Sequence, residues 1–299
     1  MSVVSDFLNQ KGLKIIHKYA NCHNLVYKVK DKDSNALIIK TNSTESSKKL
    51  LKNEVDWLKH KEYLENKLSI RVPELLDYTI YKSQPFITMQ FIEGVSFLEK
   101  FRKEELDKDA LLSLARFTQK IESIDYVETC RSEEKHELSG SKCDEIFNSN
   151  FKTWYTDIIQ NASIQAKRII KIIHDKSKGF SISNVGYAGI HGSPKLDEFI
   201  IDKNGNLYVV DWERASSVYI NFYDTASVAS HLLIKLKDSD STQQYLYLRK
   251  QLLNKKNRDI WDKHFTKVLC QRMVGDLWDL SKRDELESVL ELPIKEFIS

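Results

Sequence analysis

The sequence predicts an α+β protein of two unequal lobes: a small β-rich N-lobe around one helix, residues 1–93, and a larger, mostly helical C-lobe, residues 94–299. Three observations predict it. Short alternating or β-branched runs crowd the N-terminal third and enclose a single stretch of helical period. Beyond Gly94 the helical period takes over. Inside that helical part, residues 190–212 revert to β-rich runs on either side of an Asn-Gly pair, the strongest short hairpin signal.

Taken in order, Asn24 to Lys30 (NLVYKVK) alternates apolar and polar, and Ala36 to Lys40 (ALIIK) is a β-branched run across a polar turn, so the two predict a hairpin. From Lys48 to Leu68, Leu50, Leu51, Val55, Leu58, Leu64 and Leu68 recur at roughly helical spacing and predict one helix. Glu54 falls inside its apolar stripe, where an unpaired charge is costly, so the residue requires a partner. Pro73 opens a further strand, and Phe86 to Ile92 (FITMQFI) is another that Gly94 closes. Asp109 to Ile124 and Phe151 to His174 are amphipathic and predict helices. Residues 125–148 are polar and without period, which predicts a loop or insertion. Glu198 to Asp202 (EFIID) and Leu207 to Asp211 (LYVVD) form the Asn-Gly hairpin, and helices follow to the C-terminus.

Composition excludes several classes. A chain of 299 residues that is 41% hydrophobic and 30% charged is long enough to bury a sizeable core. No run approaches the roughly 18 apolar residues of a membrane span, and the opening MSVVSDFLNQKGLK has no basic segment followed by an apolar one, so a cytoplasmic protein is expected. Cys22, Cys130, Cys143 and Cys270 are too scattered for a zinc site or a disulfide framework. The net charge of +3, from 46 basic and 43 acidic residues spread along the chain, indicates neither nucleic acid nor membrane as a partner.

Three charged residues interrupt or end apolar elements: Lys40 ends ALIIK, Glu54 sits in the helix stripe, and Asp211 ends the second hairpin strand. Phosphoryl transfer needs these three types, a lysine on the phosphates, a glutamate to hold it and a carboxylate on the metal. Each alone is an ordinary surface or turn residue; their order and spacing carry the signal.

With these residues in place, the chain resembles the protein-kinase-like fold and, within it, the aminoglycoside phosphotransferase and choline kinase group of small-molecule kinases. The resemblance spans roughly residues 15 to 235. Its most specific part is Ile190 to Val228, which is similar without a gap to the pattern His-Gly-Asp-x-x-x-x-Asn, strand, turn, strand, Ile-Asp-Trp-Glu and a Tyr-Asp-Leu-Ala-like segment. Asn24 to Val29, Val72 to Tyr78 and Met89 to Gly94 (MQFIEG) support it. The resemblance implies ATP or GTP with Mg2+ as cofactors. It implies Lys40 on the phosphates, Glu54 paired with Lys40, and Asp211 on the metal. Backbone groups of Gln90 and Ile92 would meet the adenine, and Val29, Ile38 and Met89 would supply apolar walls. His191 and Asp224 would organise the catalytic loop.

The sequence departs from that pattern where catalysis is most exposed to change. Ser193 stands where the group has its catalytic aspartate, and a serine is no general base at neutral pH. Glu198 replaces the asparagine of a second metal position, and a carboxylate can still bind magnesium through oxygen. The nucleotide loop, Tyr19 to Asn24 (YANCHN), has no glycine to bring backbone amides onto phosphate. Asp197, four residues past Ser193, is a solvated turn residue on the plainer reading and an alternative base on the other. Asp276, Asp279, Asp284, Glu285, Glu287 and Glu291 are interleaved with Lys282, Arg283 and Lys295, which reads as a solvated amphipathic face rather than a cation site. Two functions stay open: a divergent ATP-dependent phosphotransferase acting on a small hydroxylated molecule with an altered base, and a pseudokinase that binds nucleotide and serves a protein partner as regulator or scaffold.

Overall fold

The computed structural model of the chain describes residues 2–19, 24–42, 44–124, 140–178 and 180–298. It is an α+β protein that divides into two compact units, one of residues Met1–Arg102 with Asp197–Ala215, the other of Lys103–Leu196 with Ser216–Ser299.

The first unit opens with helix α1 (Val3–Gln10), whose N-terminus is capped by Ser2 accepting from the Ser5 amide. Strands β1 (Lys14–Tyr19), β2 (Asn24–Lys30), β3 (Ala36–Asn42), β4 (Leu75–Tyr81) and β5 (Gln84–Gln90) form an antiparallel sheet in the order β1-β2-β3-β5-β4. Because side chains alternate across a strand, the sheet has two separate faces. One face packs on α1 and buries Tyr27, Val29, Ile39 and Phe86 against Val4, Phe7 and Leu8, with the Phe7 and Phe86 rings stacked at 3.9 Å. The other face carries Lys40 together with its cross-strand neighbours Val26 and Ile87.

Helix α2 (Glu45–Leu58) starts at a capping box between Thr44 and Ser47 and buries Leu51, Glu54, Val55, Trp57 and Leu58. The single helix expected over Lys48–Leu68 is two: α2 ends at Leu58 and α3 runs Lys61–Leu68. Six residues separate Leu58 from Leu64, a rotation of about 240° around a helix, so one straight helix could not turn both toward the same core. The break lets Leu64 and Leu68 of α3 be buried independently.

Gly94 does not close the β region as expected. It begins β6 (Gly94–Ser96), which pairs with β8 (Phe199–Asp202) of the predicted hairpin, whose return strand is β9 (Leu207–Val209). A Cβ at Gly94 would lie 2.3 Å from the Ile201 carbonyl oxygen, so only glycine admits this pairing. The hairpin turn is held by Asp202, which accepts from the Asn204 and Asn206 amides at 2.9 and 2.8 Å, and Gly205 takes the left-handed conformation with φ 82°. Arg71 donates its amide to Leu207 O and accepts from Val209 N, which fastens the hairpin's return strand inside this unit. Helix α4 (Phe97–Arg102) ends the N-terminal segment.

The second unit is helical. Helix α5 (Lys108–Ile121) is capped by Asp107 and buries Leu111, Leu114, Ala115, Phe117 and Ile121. The stretch expected as one helix over Phe151–His174 is divided between α6 (Gly140–Asn161) and α7 (Ile164–Ser177), because Ser163 caps α7 by accepting from the Ala166 amide. Helix α6 also takes up the end of the segment expected as a loop over 125–148; residues 125–139 of that segment lie outside the described residues, as do 20–23 of the segment expected as the nucleotide loop. Strand β7 (Tyr187–Ile190) pairs antiparallel with β10 (Ser216–Ile220). Helices α8 (Tyr223–Ser230), α9 (Ser239–Gln251), α10 (Lys255–Ser281) and α11 (Ile294–Ile298) complete the chain. Every residue of α8 is buried, since α9 and α10 pack against it. Cys270 is a buried free thiol of α10, while Cys22 and Cys130 lie outside the described residues. Among the described residues, no helix is long and apolar enough to cross a membrane.

Candidate active site

The first unit gathers charges that the sequence scatters over more than half its length. Lys40, on the inner strand β3, directs its ammonium at both oxygens of Glu54 on α2, at 3.1 and 2.8 Å. The same ammonium bonds the Asp211 carboxylate and lies 3.9 Å from Glu213. Glu54 is 1% exposed, so the lone carboxylate in the helix stripe has the partner it required. Glu213 was not singled out in the sequence. Its signal is the acidic residue two past Asp211, where β-strand alternation has already given way to a 3-10 turn, Trp212–Arg214.

Asp211 adopts a left-handed conformation, φ 68° and ψ 54°. A non-glycine residue there is strained by about 1 kcal/mol or more. The strain is held by what surrounds it: the Trp212 ring is fully buried, donates its indole N–H to Val209 O at 2.9 Å, and stacks 6.0 Å from Trp57 of α2. Asn24, at the head of β2 and fully buried, donates its side-chain amide to Glu213.

The electrostatics follow from crowding. Burial disfavours the Lys40 ammonium, but Asp211, Glu54 and Glu213 outweigh it and hold its pKa well above the usual lysine value. Burial pushes Glu54 up against the pull of Lys40, and the neighbouring Asp211 adds to the push. Glu213 is raised first by burial and then by Asp211. One oxygen each from Glu54, Asp211 and Glu213 lie within 4.8 Å of one another. Three carboxylates thus face one buried ammonium, with the half-exposed Arg214 4.0 Å from Glu213 at the rim. A hard divalent cation such as Mg2+ takes oxygen ligands of this kind, and it would offset the excess negative charge. The residues present therefore fit the metal. Glu198, also buried, is not part of that group.

The apolar residues divide by face. Ile38 pairs with Met89 on the Lys40 side of the sheet, and Met89 and Ile92 are buried. Val29 is on the opposite side, packed against α1, because the register pairs Val26 with Lys40 and Val29 with Leu37. The apolar residue of β2 that shares the Lys40 face is Val26. Gln90 spends its backbone N–H on Glu74 O, and its side chain accepts from the Glu74 amide at 3.3 Å.

In the second unit, Ser193 is half-buried on the loop after β7. Asp224, at the start of α8, accepts from the backbone amides of His191 and Gly192 at 2.5 and 3.0 Å, so it orders the loop rather than reaching out of it. Burial pushes Asp224 up to about 7, against these two amides. The His191 ring is buried edge-on to Phe117. Asp197 is exposed. Asp276, expected on a solvated face, is instead buried: it accepts from Ser230 at 2.5 Å and pairs with Arg272 and Lys235. Periodicity placed it among exposed acids, whereas α10 buries most of its circumference against α6, α7 and α8.

Comparison with known proteins bears on the fold and the family. Among curated proteins, none matches the sequence. Solved structures do. The GDP complex of wild-type aminoglycoside 2'-phosphotransferase-IIIa superposes with a TM-score of 0.67 at 13% identity, covering 98% of this chain and 97% of that one. Amicoumacin kinase hAmiN, solved with AMP-PNP, Ca2+ and Ami, gives 0.59 at 14% identity, over 99% of this chain and 92% of that one. Aminoglycoside-3'-phosphotransferase of type VIII gives 0.58 at 13% identity, over 92% and 99%. At such identities the likeness shows a shared fold. Residues 20–238 also match the family model described as APH, phosphotransferase enzyme family, and with that span covering most of its length the chain belongs to the APH phosphotransferase enzyme family.

Proposed function

We propose that the protein binds a magnesium-nucleotide, ATP or GTP, and acts as a divergent phosphotransferase on a small hydroxylated molecule. The observation that carries this reading is the buried set of Lys40, Glu54 and Asp211, held on three different elements of one compact unit. Lys40 is oriented by Glu54 to meet the phosphates, and Asp211, with Glu213 beside it and Glu198 as a further candidate, would hold the metal. A metal held there would supply positive charge to offset the negative charge of the phosphates. Val26, Ile38 and Met89 would line the base, with the Gln90 carbonyl and the Ile92 backbone offered to it. The GDP, kanamycin and AMP-PNP complexes among the solved relatives support nucleotide and small-molecule binding.

Ser193 favours a second reading. Without a carboxylate to accept the acceptor's proton, the same nucleotide site would serve as a switch for a protein partner. Both readings share nucleotide binding, so that is the property to test first. A ligand that binds only the folded state at a hundred times its Kd stabilises it by about 2.7 kcal/mol. Mg-ATP or Mg-GTP should raise the wild-type Tm, and Lys40→Ala and Asp211→Asn should abolish the rise. An unchanged wild-type Tm at millimolar nucleotide, or equal shifts in the variants, would overturn the assignment.

A further inference from the structure

Asn53 immediately precedes Glu54 on α2, yet its side chain serves a different element. Its amide donates to two carbonyl oxygens of the turn that carries Asp211, Glu213 O and Ala215 O, both at 2.9 Å. Trp57, one helical turn further on, donates its indole N–H to the same Ala215 O at 3.0 Å. These carbonyls leave the short 3-10 turn Trp212–Arg214 and its following residue, where a helix terminus has acceptors without helical partners. The two side chains of α2 fill that role.

The consequence is geometric. Glu54 belongs to α2, and Asp211 and Glu213 belong to the hairpin's exit turn; the spacing of their oxygens depends on how the turn sits against the helix. Backbone pairing holds the hairpin as far as Val210, whose amide donates to Glu198 O, just past Val209, which donates its amide to Arg71 O and pairs with Phe199; Asp211 lies beyond these residues and in a left-handed conformation. Between Val210 and Ala215 the turn is fastened by the Lys40 ammonium to Asp211, by the Trp212 indole to its own strand, by Asn24 to Glu213, and by Asn53 and Trp57 to α2. Of these, Asn53 alone grips two backbone positions at once, and it does so from the residue adjoining Glu54.

We infer that Asn53 is a positioning residue: with Trp57, it clamps the Asp211–Ala215 turn to α2 and so sets the carboxylate spacing that receives the divalent cation. This rests on the magnesium-nucleotide reading above. The role assigned to Asn53 is indirect: its side-chain amide acts through the backbone of the turn. Its loss therefore affects the part of nucleotide affinity that depends on metal and spares the part that does not.

The test compares wild type, Asn53→Ala and Trp57→Phe. Affinity for AMP-PNP is measured calorimetrically with Mg2+ and with EDTA, and Tb3+ luminescence, sensitised by the nearby Trp212, reports metal binding without nucleotide. Trp57→Phe keeps an aromatic ring at the position and removes one donor, so it covers the case in which Asn53→Ala fails to fold. The expected result is a loss of the Mg2+-dependent gain in affinity by about tenfold for Asn53→Ala and about threefold for Trp57→Phe, in keeping with the net worth of two bonds and one. Affinity in EDTA stays within about twofold of wild type, and Tb3+ binding weakens in parallel. Equal losses with Mg2+ and EDTA would mean a merely structural role and overturn the inference, as would variants that keep the full gain. A wild type that binds neither Tb3+ nor AMP-PNP overturns the nucleotide reading itself, and the inference with it; a wild type that binds both while the variants match it overturns the inference alone.

Discussion

The Lys40 ammonium donates to both carboxylate oxygens of Glu54, at 3.1 and 2.8 Å, with the lysine 5% and the glutamate 1% exposed. Removing one member of a buried pair strands the other, at a cost of about 3 to 5 kcal/mol, and the pair itself need not be more stable than an apolar replacement. Lys40→Met should thus destabilise the apo protein more than Lys40→Met combined with Glu54→Leu. Urea unfolding of the full cycle should give a coupling of about 1 to 3 kcal/mol. Asp211 and Glu213 also lean on Lys40, so the double variant should not recover wild-type stability completely. Strictly additive losses would show that the two residues do not interact.

Val26 and Val29 offer a contrast within one strand. Val29 is fully buried against α1, whereas Val26 lies beside Lys40 on the other face. Val29→Ala should lower stability by about 2 kcal/mol, as expected for a large-to-small core change, without altering nucleotide affinity. Val26→Ala should weaken nucleotide binding severalfold with little change in Tm. The reverse pattern in paired calorimetric and melting measurements would mean that the base is bound elsewhere.

Ser193 separates the enzyme from the pseudokinase. A general base typically contributes about a hundredfold to ten-thousandfold, so Ser193→Asp should raise nucleotide hydrolysis or acceptor phosphorylation by that order if the remaining site is competent. Hydrolysis is the decisive assay because water is its only acceptor. Silence from both proteins, with nucleotide binding intact, would leave the switch reading as the one supported.

Asp224 gives a pH signature. Its folded pKa is raised by burial to about 7, above the ordinary aspartate value, so the folded state binds the proton more tightly than the unfolded chain. For an acid shifted upward, the stabilising contribution is full below the unfolded pKa and is lost as pH rises through the folded one. Asn at this position is neutral throughout. The Tm advantage of wild type over Asp224→Asn should therefore shrink between about pH 4 and pH 7 and level off above it. If the advantage widens over that window, the two backbone amides of His191 and Gly192 dominate over burial.

Sequence alone determined the local elements and the chemical types. Asn204-Gly205 announced the hairpin because a tight turn needs a residue tolerant of positive φ, and Gly205 supplies it. Glu54 inside an apolar stripe announced a buried partner because an unpaired charge is costly there, and the family resemblance named Lys40 as that partner. The α+β division followed from where the period changes. Tertiary structure decided what depends on pairing between distant segments. Alternation along β2 shows that Val26 and Val29 point to opposite faces, but only the register against β3 says which face Lys40 shares. The break between α2 and α3 reflects where a core can be reached, not a breaker residue. Glu213 and Asn53 joined the site because the exit turn of the hairpin folds onto α2, some 160 residues away in the chain. Local periodicity carries no record of such a contact, since hydrogen bonds to backbone carbonyls can be made by many side chains and are specified by the meeting of the two elements rather than by either one alone.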